Sequence, residues 1–295
     1  MDSLRLRRSL LFVPGAEPRK IERALQAGAD TLLLDLEDSV APEQKAEARE
    51  HVAAALRAGG FGDTEAAVRV NAFGTPHFEA DVEAVVGGGA RVILLPKSED
   101  PEQLERVVET VWAVESGRLG PGESTKLLLL VESPAGIANA SAVARATPRT
   151  EALCFGHADF SLSMGLAEAD ASRGIGYHAR CSLVIAAKAC GVAPIDSIVL
   201  SVKDEKAIRE DAALGAALGF EGKLCIHPRQ VEIVNEVYTP RPEQVEYALR
   251  VTEAWQRARA EGRGVFSLDG RMIDAPLVTV QQRVLERARR AGALR

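Results

Sequence analysis

The chain has 295 residues, 46% hydrophobic and 26% charged, the composition of a globular protein with one large core or two modest ones. That balance excludes a disordered chain. The formal net charge of -6 is spread along the sequence, leaving no basic stripe for nucleic acid or an anionic membrane, though a local basic pocket for a small anion is compatible with it.

The opening MDSLRLRRSLLFVPG sets basic residues before a short apolar run that stops at Pro14-Gly15 without a cleavage-type site, so it reads as a strand. No apolar stretch approaches the roughly 18 to 20 residues needed to span a bilayer. A soluble, cytoplasmic protein is the expectation. Cys154, Cys181, Cys190 and Cys225 are scattered with neither a C-x-x-C pair nor zinc spacing, and read as reduced core thiols.

Apolar runs bounded by turn residues then recur in order: SLLFVP from Ser9, TLLLDL from Thr31, AVRV from Ala67, RVILLP from Arg91, KLLLLVE from Lys126, ALCFG from Ala152, IDSIVL from Ile195 and KLCIH from Lys223. Stretches of helical periodicity lie between them. Pro18 to Ala27 stops at Gly28, Pro42 to Ala58 stops at Gly59-Gly60, and Pro101 to Glu115 follows the acidic Glu99-Asp100 start signal. Eight strands alternating with helices predict an α/β fold, a TIM (β/α)8 barrel. The competing open doubly wound sheet lacks its G-x-G-x-x-G turn after the first strand. The barrel is expected over residues 1–240. Residues 241–295 form a carboxyl-terminal helical extension, with a helix from Pro242 to Ala260, a glycine-broken stretch GRGVFSLDGRMIDAPLV and a last helix from about Pro276. It suits a structural cap or a lid.

In such a barrel, residues just past the strand ends converge on one mouth. Here they are Asp35, Glu37 and Asp38 after the second strand, Arg69 and Asn71 on the third, Lys97 after the fourth, Glu132 after the fifth, His157 and Asp159 after the sixth, and His227 after the eighth. Glu132 and Asp159, from neighbouring strands, would raise each other's pKa unless a cation stood between them. Oxygen ligands without thiolates favour Mg²⁺ or Mn²⁺, with sites left for water and substrate oxygens. A pair of solvated loop acids is the alternative. Arg69, inside the apolar VRV, either pairs with a structural carboxylate or projects as an anion clamp. Lys97 reads as an exposed loop lysine or a second such cation. The histidines form no ligand motif, and G-x-S-x-G and P-loop patterns are missing, which leaves a serine hydrolase and a nucleoside-triphosphate enzyme unsupported.

RSLLFVPG, DLEDSV, VRVN, LLPKSE, VESPAGI, FGHADFSLSMG, GFEGKLCIHPRQV and SLDGRMIDAPLV, in this order from about Arg8 to Leu285, resemble the citrate lyase beta-subunit family of the HpcH/HpaI aldolase/citrate lyase superfamily, which includes malyl-CoA and citramalyl-CoA lyases. The resemblance implies a Mg²⁺-dependent carbon-carbon lyase that cleaves a 3-hydroxyacyl thioester into an acetyl or propionyl thioester and a 2-oxo acid. It implies Glu132 and Asp159 as metal ligands, with Glu37 and Asp38 holding metal-bound waters. Arg69 would contact substrate oxygens, and Arg8, Arg19 and Lys20 would approach the coenzyme A nucleotide. Asp274, in MIDAP, would close over the site of a neighbouring subunit and exchange a proton, which implies a homo-oligomer, a trimer or a hexamer. His157 departs from the common pattern of its block and marks a subgroup. The thioester carrier, coenzyme A or acyl-carrier protein, is left open, as are a malyl-CoA-type thioesterase and a non-catalytic subunit of a lyase complex.

Overall fold

The computed structural model describes residues 5–116, 124–167 and 170–294. Strands β1 (Ser9–Pro14), β2 (Thr31–Asp35), β3 (Glu65–Arg69), β4 (Val92–Leu95), β5 (Lys126–Val131), β6 (Thr150–Phe155), β7 (Ala193–Asp196) and β8 (Gly222–Cys225) follow one another in a closed barrel. Every pairing is parallel. β8 returns to β1 with Lys223 opposite Ser9 and Leu224 opposite Leu10. Gly222 is what lets the ends meet, because a Cβ there would stand 1.7 Å from the Arg7 carbonyl oxygen.

Around the barrel run α1 (Pro18–Ala24), α2 (Lys45–Ala58), α3 (Phe78–Gly87), α4 (Pro101–Glu115), α5 (Pro134–Arg145), α6 (His157–Ser163), α7 (Gly174–Cys190), α8 (Glu205–Leu218) and α9 (Pro228–Tyr238). α4 shows how the sequence starts them. Pro101 takes the first helical position, and the Asp100 carboxylate accepts from the Glu102 N–H at 3.0 Å, a cap worth about 1 kcal/mol.

Leu10, Leu33, Ala67, Leu94, Leu128, Leu130, Cys154 and Ile195 fill the barrel, while Leu11, Leu32 and Leu34 are equally buried at the alternate positions of the same strands. Burial of both faces is why these strands read as unbroken apolar runs. Charges are also buried outside the barrel wall. Arg180 of α7 bonds Asp196 at 3.0 and 2.5 Å and Asp211 at 3.1 Å, and Lys223 joins the same two carboxylates. The four cysteines are free, and burial pushes the Cys154 and Cys225 thiols up to about 12, so neither supplies a thiolate.

Two elements differ from the sequence reading. The apolar run IDSIVL lies only partly in β7, which ends at Asp196; beyond it the Gln230 amide donates to the Val199 and Ser201 carbonyls, so a side chain takes the place of the ladder. The glycine-broken stretch is a hairpin, β9 (Val265–Leu268) against β10 (Arg271–Asp274). Its turn is Asp269-Gly270 with φ of 50° and 74°, the left-handed pair that a two-residue hairpin loop requires.

The chain divides into compact units Met1–Asn235 and Glu236–Arg295. In the second, α10 (Pro242–Ala260) and α11 (Ala275–Arg290) pack together through Val245, Ala248, Leu285 and Ala288, and the hairpin contributes Phe266 and Ile273 to a second cluster with Val251 and Val278. Among the described residues no helix is long and apolar enough to cross a membrane.

Candidate metal centre and active site

The mouth is built first around β2 and β3. Asp35 closes β2 and Arg69 closes β3, and their register sets them opposite each other. The guanidinium forks onto Asp35 through Nε at 2.6 Å and Nη2 at 2.8 Å, then reaches Asp38 with Nη1 at 2.9 Å and Glu37 at 3.2 Å. Its face lies 4.7 Å from the Phe12 ring centroid. Burial alone would push Asp35 up, but Arg69, Ser39 and the Glu37 N–H outweigh it and hold the carboxyl below its ordinary range. Of the two readings of Arg69, the pairing with a structural carboxylate is what is present; only the Nη1 side extends to the acidic loop.

That loop is held from beneath. Lys45, buried at the start of α2, donates to the Leu36 and Glu37 carbonyls at 2.8 and 2.7 Å and to Asn71 at 2.7 Å. Asn71 in turn donates to Leu36 and to Asp81. The backbone of Glu37 is thereby fixed. Burial pushes the Glu37 carboxyl up to about 7, with Asp38 and Asp35 adding to the rise and Arg69 and Lys97 opposing it.

β5 and β6 supply the rest. Glu132 follows Val131 directly and is 5% exposed. Its Oε1 accepts from the Lys97 backbone N–H at 2.8 Å. Lys97 makes that contact from φ 53°, a left-handed conformation that non-glycine residues seldom adopt. Burial pushes Glu132 up to about 8; the Lys97 N–H and Arg69 oppose this, and the charges of Glu37 and Asp159 reinforce it. Asp159 stands in the first turn of the short α6, partly buried.

Among the described residues, no three His, Cys, Asp or Glu side chains form a ready cage for a metal ion. The donors nevertheless fit a hard divalent cation. Glu132 is a buried carboxylate whose ionised form is opposed by two neighbouring carboxylates, and all the available donors are oxygens. A cation that keeps most of its coordination for water and ligand needs only one or two protein carboxylates.

The remaining expected residues scatter. Arg8 precedes β1 and lies at the opposite, amino-terminal end of the barrel, where it bonds Asp30 through Nε at 2.9 Å and Nη2 at 2.8 Å. A strand of six residues, about 20 Å, separates it from the mouth, which removes it from the substrate-binding set. Lys20 lies on the first turn of α1, just past β1, exposed and paired with Glu17 at 2.6 Å; Arg19 beside it is exposed. Asp274 ends β10 and caps α11, its Oδ1 accepting from the Leu277 N–H at 3.2 Å. His157 is buried and lines a cavity of about 420 Å³ with Ala171, Ser197 and Leu200. Two positions from Asp159 on one helix, it faces a different direction. Sequence reasoning missed Lys45 and Gly156. A buried lysine at a helix start three residues after Pro42 left no pattern to read, and the place of Gly156 depends on a contact across two strands.

The chain is similar to citrate lyase subunit beta of Escherichia coli (strain K12), 36% identical over 98% of this chain and 95% of that one. It is similar to L-malyl-CoA/beta-methylmalyl-CoA lyase of Rhodobacter capsulatus, 34% identical over 97% and 96%. Among solved structures it resembles the protein CitE from Mycobacterium tuberculosis in complex with magnesium, acetoacetate and coenzyme A, with a TM-score of 0.77 and 31% identity, covering 98% of this chain and 100% of that one. Residues 8–228 match the family described as HpcH/HpaI aldolase/citrate lyase, and the chain belongs to that family.

Proposed function

We propose that this chain is a Mg²⁺-dependent carbon-carbon lyase that cleaves a 3-hydroxyacyl thioester of the malyl, citramalyl or citryl type into an acetyl or propionyl thioester and a 2-oxo acid. The observation that carries the reading is Glu132, a buried carboxylate at the barrel mouth with Glu37 and Asp159 around it. Its named relatives include lyases of this kind, and one related structure holds magnesium with coenzyme A.

Glu132 and Asp159 would hold the cation, Mg²⁺ or Mn²⁺, with Glu37 and Asp38 orienting its waters. The bound cation supplies Lewis-acid polarisation of the oxo-acid carbonyl and a template for that product. In cleavage a base takes the hydroxyl proton, the bond between C2 and C3 breaks as the C3 carbonyl forms, and the electron pair of that bond passes to the thioester as an enolate. Arg69, whose Nη1 side bonds Asp38 and Glu37 and keeps the acidic loop in position, would turn that same side toward the developing charge. Asp274 returns a proton to the α-carbon, delivered by the extension acting as a lid on another copy in a trimer or hexamer. Lys20, at the mouth end of α1, meets the phosphates of the thioester carrier. The free cysteines suit a cytoplasmic setting.

The test is a product screen with malyl-, methylmalyl- and citramalyl-thioesters, each on coenzyme A and on a carrier protein, with Mg²⁺ or with chelator. A lyase gives a 2-oxo acid and a shorter thioester only when Mg²⁺ is present. Release of the intact hydroxy acid would make the chain a thioesterase, and no turnover on any substrate would leave it a non-catalytic subunit.

A further inference from the structure

Glu132 is confined on two sides by backbone rather than by side chains. On one side stands the Lys97 N–H, 2.8 Å from Oε1, presented from the left-handed region at φ 53°. On the other stands Gly156. A Cβ built there would lie 2.6 Å from the Glu132 Cβ and 2.7 Å from its Oε2, closer than side-chain atoms approach one another. The φ and ψ of Gly156 are -98° and 81°, so the glycine is not there for its backbone freedom. It is there for room, and the room is taken by the carboxylate. A strained peptide that donates to one oxygen and a bare Cα that admits the other fix a single pose for an otherwise three-torsion side chain.

We infer that Lys97 and Gly156 are positioning residues for Glu132, acting through the peptide N–H of one and the missing side chain of the other, so that the carboxylate is set for the divalent cation before the cation arrives. The inference rests on the reading of Glu132 as a cation ligand. It assigns no role to the Lys97 ammonium, which is exposed. Glycine at position 97 keeps the N–H and tolerates the positive φ, whereas a β-branched residue resists that φ and withdraws the donor.

The experiment is Mg²⁺ binding by calorimetry on the metal-free full chain, as wild type and as Glu132→Gln, Gly156→Ala, Lys97→Gly and Lys97→Val. Melting of each metal-free protein is recorded alongside. Gly156→Ala and Lys97→Val are expected to weaken Mg²⁺ by about 10- to 100-fold, the range for residues that orient a ligand, and Lys97→Gly to bind as the wild type does. Binding by Gly156→Ala within twofold of wild type overturns the inference. So does a loss in Lys97→Gly equal to that in Lys97→Val, which would transfer the effect to the ammonium. If Gly156→Ala does not fold, the two Lys97 variants decide by the same criterion. Absence of Mg²⁺ binding in the wild type, or full binding by Glu132→Gln, removes the cation reading itself and this inference with it.

Discussion

The two ends of the barrel each bury an arginine among carboxylates, and they do opposite things with it. At the amino-terminal end Arg7 bonds Glu65 through Nε and Nη2 at 2.7 and 2.8 Å and Glu151 at 2.5 Å, and Thr31 adds a hydroxyl to Glu65. Arg5 stands 3.6 Å from the same glutamate. Two carboxylates there meet two guanidiniums. At the mouth Arg69 faces Asp35, Glu37 and Asp38, Glu132 and Asp159 bring the carboxylates to five, and Lys45 and Lys97 bring the cations to three, two fewer than the carboxylates. There Glu37 is pushed up to about 7 and Glu132 to about 8. One end is neutralised by its own side chains; the other is left with negative charge that an outside cation can neutralise. The division of labour in (β/α)8 barrels, stability below and chemistry above, is thus visible in the charge balance.

Glu132→Gln should show the largest effect. Turnover with Mg²⁺ is expected to fall on the order of 10³-fold, since a correctly held Lewis acid is worth several kcal/mol. The same residue sets a pH dependence in the metal-free protein. An unfolded chain releases carboxyl protons near the ordinary 4.5, whereas folded Glu132 and Glu37 hold theirs to about 8 and about 7. Between those values the folded state binds more protons, so stability falls as pH rises, by at most a few kcal/mol. Denaturation with chelator at pH 5.5, 7 and 8.5 measures it. Saturating Mg²⁺ should flatten the trend, as should Glu132→Gln in part. Stability that rises with pH in the metal-free wild type would contradict the proposed surplus of charge.

Arg7→Met tests the other end. It leaves Glu65 and Glu151 without their buried partner, at an expected cost of about 3–5 kcal/mol in denaturant unfolding. Mg²⁺ affinity at the mouth should not change. A loss of Mg²⁺ binding without a loss of stability would reverse the roles assigned to the two ends.

Much of the barrel is written plainly in the sequence, because strands covered on both faces leave runs such as TLLLDL and KLLLLVE. Pro and Gly punctuation locates α4 and α10 to the residue. The reading runs long at IDSIVL, since an apolar run does not say where a ladder ends and a distant glutamine takes over. The hairpin signal was there in Asp269-Gly270 between two apolar runs, and the glycines around it obscured it. At the candidate site, strand ends point to Glu132, Asp159 and Glu37 as residues of the mouth. They do not identify the choice Arg69 makes between partner and clamp, nor the contact of Gly156 with Glu132, because both depend on which strands become neighbours.

Arg8 and Lys20 carry the smallest effect and the finest distinction. Both lie close in sequence to β1, but Arg8 precedes the strand and Lys20 follows it, so adjacency to one motif hides a separation of the whole barrel height. Arg8→Ala removes two side-chain bonds to Asp30 at a partly buried pair and should cost about 1–2 kcal/mol of stability, leaving KM for a coenzyme A thioester unchanged. Lys20→Ala breaks a half-exposed pair with Glu17 and should change stability by no more than about 0.5 kcal/mol. Its KM for the same thioester should rise by a few-fold, and the rise should shrink as salt screens the attraction. Steady-state kinetics at two ionic strengths, with melting curves for both variants, separates the two. If KM rises in Arg8→Ala and not in Lys20→Ala, the carrier is bound from the wrong end for this barrel, and the mouth assignment fails with it.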